Sequence, residues 1–300
     1  MRVNSNMVPD ILADLQQSQS TLNTALQEVS TGKSVTVPSD NPAASAEMVQ
    51  NTVETANVDQ YTKNINNVLA NVQSASSALS SVTTALTQAV SLGTEGANGT
   101  NTSTSLAALA QQVQSILSSV VSDANTSVAG TYLFGGTASA TAPYTADSSS
   151  ASGYAYNGTN DSNSVAVGDN LNVQVNLPGS QVFSNSSNNV LGALSSLVSA
   201  LQSGNSSQIS TATSAVSSAI SYVSQAQGFY SNAESQLNSQ ETYLQQDTVT
   251  LTTQQNNLVG VDEAQAATAL SQAETDNSAI LAAAAKVLPN TLLDYLSAPS

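Results

Sequence analysis

The residues that could carry out chemistry are few in this chain and lie far apart. The 300-residue sequence has no His and no Cys, which excludes the commonest general base, the thiol nucleophile and metal sites built on either residue. Its carboxylates are not adjacent, except in the pair Asp262-Glu263. Because this pair precedes an Ala-rich segment, it is typical of a helix N-terminus, where the helix dipole favours negative charge. We predict no catalytic, metal-binding or cofactor-binding residues and no enzymatic activity.

Three further motifs look like ligand or modification sites but have simpler explanations. Asp161 and Asp169 lie among Asn residues, but their spacing fits no EF-hand loop, and such residues are common in turns. Gly135-Gly136 lacks the G-x-G-x-x-G spacing of a phosphate-binding loop. The triplets beginning at Asn98 and Asn125 match glycosylation acceptors, but a chain rich in Asn, Ser and Thr contains such triplets by composition alone.

The charge balance excludes two classes of partner. Four Lys and Arg residues against twenty Asp and Glu residues give a net charge of −16, which repels nucleic acid and anionic membrane surfaces. No run of about 18 apolar residues is long enough to span a membrane. Residues 1–6 are not followed by the apolar core of a cleaved signal peptide. This favours a cytoplasmic protein, although export without a cleaved signal would leave the same sequence.

The elements that must position any functional surface are helices, because apolar residues recur every seven positions. The first stripe consists of Val8, Leu15, Leu22 and Val29, widened by Ile11, Leu12, Ala25 and Leu26. We expect Gly32 to follow the end of this helix, where a left-handed backbone needs no Cβ atom. Pro42 suits the first position of the next helix, with Asp40 or Asn41 as its cap.

Two long helices dominate the prediction. Residues 58–89 carry two interleaved seven-residue series in an unbroken 3-4 pattern, and residues 209–258 carry one series over seven heptads. Shorter helices are predicted around residues 106–120 and 190–201, and a last one over 262–287, interrupted by Pro289. Gly93, Gly96 and Gly99 are predicted to end the second helix.

Between the helices the apolar period changes to two, over about residues 135–185. The predicted fold is therefore mainly α: a long antiparallel coiled-coil or helical-bundle rod built from the N- and C-terminal halves, with a small β domain inserted in the middle. We expect paired terminal helices at 1–40 and 265–300, a helical bundle at 41–136 and 188–264, and a variable β insertion at 137–187.

The terminal stripes lack an internal partner beyond each other. An isolated helix of about 22 residues is marginal in water unless its apolar face packs. We therefore expect the terminal segments to be mobile in the free subunit and to pack against other subunits. The predicted assembly interface consists of Val8, Ile11, Leu15, Leu22, Leu26, Val29, Leu292, Leu293, Tyr295 and Leu296.

Several short stretches of the sequence give a family resemblance. Residues 29–33 (Val-Ser-Thr-Gly-Lys) and 38–44 (Pro-Ser-Asp-Asn-Pro-Ala-Ala) resemble the N-terminal signature of bacterial flagellins and hook-associated proteins. Residues 130–136 and the ending at 292–296 are similar to the branch that forms the junction between hook and filament. The opening Met1-Arg2-Val3 also fits that branch.

The resemblance implies an extracellular structural subunit of the flagellum, exported without a cleaved signal peptide. It would assemble helically with neighbouring axial proteins, namely the first hook–filament junction protein and flagellin, form a ring with its own copies, and bind a type III export chaperone. It also implies terminal helices lining a hollow tube and an outward-facing β domain. The alternative within the family is flagellin itself. An enzyme on a coiled-coil scaffold and a cytoplasmic coiled-coil adaptor are the alternatives outside it.

Overall fold

A computed structural model describes residues 7–185 and 189–296, with side chains described for 9–185 and 189–286. Two compact units divide the chain. The terminal unit combines residues 1–57 with 247–300, and the central unit comprises residues 58–246. The opening Met1-Arg2-Val3 lies outside the described residues.

The fold is mainly α with small antiparallel sheets, as predicted. The helices are α1 (Met7–Thr31), α2 (Pro42–Gly96), α3 (Ser103–Ala124), α4 (Gly179–Val182), α5 (Val190–Ser203), α6 (Ser206–Val259) and α7 (Glu263–Leu296). The strands are β1 (Ser127–Val128), β2 (Thr131–Tyr132), β3 (Tyr144–Ala146), β4 (Tyr154–Tyr156), β5 (Ser164–Gly168) and β6 (Leu171–Gln174).

The heptad pattern of the central unit is confirmed by burial. The core residues of α2 and α6 are fully or almost fully buried: Val58, Ile65, Val72, Leu79, Val82 and Leu86 on α2, and Ile209, Val216, Val223, Tyr230, Leu237 and Leu244 on α6. The Gln73 amide on α2 donates to the Glu234 carboxylate on α6 at 2.9 Å, which places the two helices side by side. Helix α3 packs against α5.

The predicted end of the second helix is confirmed, because α2 ends at Gly96, whereas the predicted break at Pro289 is wrong. Gly93 lies inside α2, where a Cβ atom would collide with Thr213 of α6, so this glycine permits close helix packing instead of ending the helix. Helix α7 continues through Pro289 to Leu296. The fixed φ of proline, about −65°, is compatible with a helix, so the backbone stays helical at Pro289 although one helical hydrogen bond loses its donor.

The β region contains three separate hairpins. Strand β1 pairs with β2, β3 with β4 and β5 with β6, all antiparallel. The rings of Phe134 and Phe183 meet edge to face at 5.2 Å, and Phe134 meets Tyr230 of α6 at 6.2 Å. The Leu177 amide donates to the Tyr230 hydroxyl at 3.0 Å. The β region therefore shares its hydrophobic core with α6.

Candidate assembly interface

In the terminal unit, α1 packs against α7 through mostly small residues. Their buried residues are spaced as in a coiled coil: Ser18 and Ala25 on α1, and Ala266, Ala273 and Ala284 on α7. Ile11, Leu15 and Leu22 are only half-buried. The small alanine side chains allow the two helices to approach closely, but they remove little apolar area from water.

The apolar stripe of α1 is wider than the surface that α7 covers. Its inner column is Ile11, Ser18 and Ala25, and the neighbouring columns are Leu15, Leu22 and Val29, then Leu12, Gln19 and Leu26. Leu12, Leu26 and Val29 are 50%, 45% and 44% exposed. Helix α7 therefore covers one edge of the stripe, and the other edge faces solvent.

The ten predicted interface residues stand as follows. Ile11, Leu15 and Leu22 flank the contact with α7, and Leu26 and Val29 are exposed. The side chains of Val8, Leu292, Leu293, Tyr295 and Leu296 lie outside the described residues, although the backbone there is helical. The structure thus brings Ile11, Leu15 and Leu22 together beside α7. The interface role of all ten residues stays a prediction.

Two polar atoms are buried in the terminal unit without a hydrogen-bond partner among the described residues. They are the Ser18 hydroxyl on α1 and the side-chain oxygen of Asn277 on α7. A buried polar atom without a partner costs about 1–3 kcal/mol. The contact between the terminal helices is therefore weaker than its spacing alone indicates.

The loop after α1 is tied to the start of α7. Gly32 has the left-handed φ of +67° expected at this position, and its amide donates to the Glu28 carbonyl at 2.9 Å. The Ser34 amide donates to the Val259 carbonyl at 2.8 Å, and the Val261 amide donates to the Gly32 carbonyl at 3.1 Å. These bonds hold the end of α1 beside the beginning of α7.

Of the two residues predicted to cap α2, Asn41 does so and Asp40 instead stabilises the loop before the helix. The Asn41 side chain accepts from the Ala44 amide at 3.1 Å and caps α2. The Asp40 carboxylate accepts from the Val37 amide at 3.0 Å and from the Thr36 amide at 3.1 Å. These bonds favour the ionised form and hold the pKa of Asp40 below its usual 3.8.

This ordered loop forms one wall of a groove of about 520 Å³, which we call the loop groove. It is lined by Gln27, Thr31, Lys33, Val35, Thr36, Val37, Pro38, Ser45, Met48, Val49 and Val259. Among these residues, Lys33 alone is charged. Val37 is 48% exposed and Val49 is 65% exposed, so the groove is open and largely apolar.

Sequence reasoning missed the loop groove, although its residues overlap the family-like stretches at 29–33 and 38–44. Its apolar lining residues come partly from the loop and partly from α2. No single helical or alternating period runs through both segments. Their proximity depends on the bonds between the loop and the α6–α7 connection. The alternation of Val35 and Val37 is the one signal that could have pointed to it.

The part of the chain that the structure describes contains neither a cluster of metal-binding side chains nor a membrane-spanning helix. There, no three acidic side chains come together in a group that could hold a metal ion. Among the described helices, none combines the length and apolar character needed to cross a membrane.

Comparison with known proteins confirms the resemblance seen in the sequence. Residues 3–139 match the family of the bacterial flagellin N-terminal helical region. No curated protein matches the chain.

Solved structures share the fold. FlgL from Bacillus cereus is 21% identical, with a TM-score of 0.60, over 69% of this chain and 99% of that one. Hook-associated protein-3 from Legionella pneumophila is 14% identical, with a TM-score of 0.64, over 70% and 98%. A structure of the flagellar junction protein FlgL from the same organism is 14% identical, with a TM-score of 0.59, over 71% and 100%.

Proposed function

We propose that this protein is a structural subunit of the bacterial flagellum that joins the hook to the filament. The observation that carries the proposal is the uncovered edge of the α1 stripe, with Leu12, Leu26 and Val29 exposed. Apolar surface of this kind is stabilised when another subunit covers it. The flagellin N-terminal region over residues 3–139 supports a flagellar assembly as the place where this happens.

The fold supports the junction branch over flagellin. The solved structures similar to this chain include one titled a flagellar junction protein and one titled a hook-associated protein. A flagellin must add to its own kind without limit through one repeated contact, whereas a junction subunit stops after a shallow ring because its two ends meet different proteins.

On this proposal the neighbours are the first hook–filament junction protein on one side and flagellin on the other, with a ring of copies between them. The subunit acts outside the cell, reached through the type III export apparatus with a dedicated chaperone and without a cleaved signal peptide. Its role is structural and not catalytic.

Electron microscopy of cells that lack this protein tests the proposal. We expect hooks without filaments, and flagellin released into the medium. Cells that still carry normal filaments would contradict a junction role. Long filaments grown from the purified protein alone would identify it as flagellin instead.

A pair of matched variants tests whether the exposed stripe is the assembly surface. Leu26→Asp on α1 should leave the protein folded and abolish rescue of the deletion strain. Leu171→Asp is the control, because Leu171 of β6 is similarly exposed, at 43%, but lies in the central unit. We expect this control to restore filaments. Equal rescue by both variants would exclude the stripe from assembly.

A further inference from the structure

The terminal unit carries a second groove beside α2, of about 460 Å³, which we call the acidic groove. The buried Asn51 side chain in it donates to the Leu251 carbonyl of α6 at 2.9 Å. The charged groups of this groove are the carboxylates of Glu47 and Glu54, and Glu54 accepts from the Gln50 amide at 3.0 Å. The full lining is Glu47, Gln50, Asn51, Glu54, Gln254, Asn257 and Leu258.

The loop groove and the acidic groove lie on opposite sides of α2, at the same level along the helix. At ~100° per residue, the α2 residues of one groove are centred about 160° around the helix from those of the other. The two sets are Ser45, Met48 and Val49 for the loop groove, and Glu47, Gln50, Asn51 and Glu54 for the acidic groove. The two grooves therefore face away from each other.

The charges in the two grooves have opposite signs. Lys33 is the charged residue of the loop groove, and Glu47 and Glu54 are those of the acidic groove. Helix α2, about 10 Å across with its side chains, separates Lys33 from the two carboxylates of its own copy. Among the described residues, no carboxylate forms an ion pair with the Lys33 ammonium group. Each groove therefore offers its charge to a neighbouring molecule.

A ring of identical copies requires a pair of surfaces arranged in this way. In a closed ring each copy meets its two neighbours through two different surfaces, on opposite sides of the subunit. Such contacts run around the ring and leave the two ends of the subunit to different proteins. The two grooves meet this requirement in position and in charge.

We infer that the loop groove of one copy packs side by side against the acidic groove of the next copy in the ring, with Lys33 beside Glu47 and Glu54. This inference rests on the proposed function, since it specifies the contact between copies within the ring. The contact also covers Val37 and Val49, which are 48% and 65% exposed in the single subunit.

The absence of cysteine allows a clean crosslinking test. Differently tagged Val49→Cys and Gln50→Cys subunits are produced together in the deletion strain, and isolated flagella are treated with a short thiol-reactive crosslinker. We expect dimers that contain one copy of each variant. Val249→Cys replaces Gln50→Cys as the control, because Val249 is 67% exposed in the terminal unit and lines neither groove. It should give several-fold less dimer.

Charge reversal in one subunit at a time tests the ion pair. Lys33→Glu in the Val49→Cys subunit should lower dimer formation several-fold, because like charges then meet. Glu47→Lys in the Gln50→Cys subunit should raise it again. The same Glu47→Lys change placed in the Val49→Cys subunit should not, since the neighbour keeps its carboxylate. Lys63→Glu makes the same change of charge at an exposed site of the central unit and should have no effect.

The outcomes separate this contact from the junction role. Flagellated cells in which Val49→Cys links equally to Gln50→Cys and Val249→Cys, or to neither, would overturn the contact and leave the junction role intact. Recovery of a different flagellar protein at Val49→Cys, in place of a second copy, would also overturn it. Normal filaments in the deletion strain would instead contradict the junction role, whatever the crosslinks show.

Discussion

The central and terminal units use the same heptad spacing and bury very different residues. In the central unit the repeat positions hold Leu, Ile, Val and Tyr, and residues such as Ile65, Leu79 and Leu237 have no solvent exposure. In the terminal unit the buried positions of α1 and α7 are alanines and Ser18. Of the ten large apolar residues that are exposed in the described chain, all but Leu171 and Tyr243 lie in the terminal unit.

On the proposed function, this difference separates the residues that fold the subunit from those that assemble it. Burial of large side chains contributes about 1.5–3 kcal/mol each, so we expect the central unit to be the more stable of the two. The terminal unit buries less and exposes more, and its contact includes unpaired polar atoms. Its remaining stabilisation is expected to come from neighbouring subunits.

The largest expected effect is that of a charge placed in each unit. Leu237→Asp should destabilise the protein by about 4 kcal/mol or more, because an unpaired carboxylate replaces a packed side chain. Leu26→Asp should change stability by about 0.5 kcal/mol or less, since that position is 45% exposed. Urea unfolding followed by circular dichroism measures both. Equal losses would show that the two units do not differ in packing.

Hydrogen exchange on the monomer tests the same difference without mutation. Amides in residues 65–89 of α2 should open only with global unfolding. Amides in residues 11–29 of α1 should open locally, with a free energy lower by about 2 kcal/mol or more, and so exchange ~30-fold faster. Protection of α1 as strong as that of α2, at low protein concentration, would contradict the weak terminal pairing.

A smaller and opposite effect is expected at Ser18. Ser18→Ala removes a buried hydroxyl without a described partner, so it should stabilise the contact of α1 with α7 by about 1 kcal/mol. Slower exchange of α1 amides is the expected result. Ser20→Ala, at an exposed position of the same helix, controls for the higher helix propensity of alanine. An equal gain from both variants would attribute the effect to propensity.

The smallest expected effect is the change in stability as pH falls, and the sign of this change differs between Asp40 in the terminal unit and Asp123 in the central unit. Hydrogen bonds lower the pKa of Asp40 in the terminal unit, so its stabilising contribution, present above pH 3.8, is lost as pH falls through the lower folded value. Burial raises the pKa of Asp123 at the end of α3 in the central unit. The cost of keeping that carboxylate charged therefore disappears as pH falls through the raised value towards 3.8.

Carbon-detected NMR titration of the aspartate carboxyl groups measures the pKa values of Asp40 and Asp123. The midpoint of Asp40 should lie below 3.8 and that of Asp123 above it. The reverse order of the two midpoints would show that the loop bonds of Asp40 do not persist in solution.

The sequence by itself determined the helices and the core of the central unit. A seven-residue period over residues 58–89 and 209–258 fixes which faces are apolar, and strict periodicity admits few alternative structures. The cap at Asn41 and the left-handed Gly32 were also predictable, because residue type at a helix end is a local signal. Sequence reasoning placed the end of α2 correctly among Gly93, Gly96 and Gly99, but it did not show that Gly93 is needed for close contact with α6.

The tertiary structure alone decided which part of an apolar stripe stays exposed. The sequence gives α1 a stripe three columns wide, but only the position of α7 shows that Ala25 is covered and Leu26 is not. The loop groove likewise exists because hydrogen bonds join residues more than 200 positions apart, such as Ser34 and Val259. Periodicity describes each helix separately, whereas exposure depends on which surfaces meet.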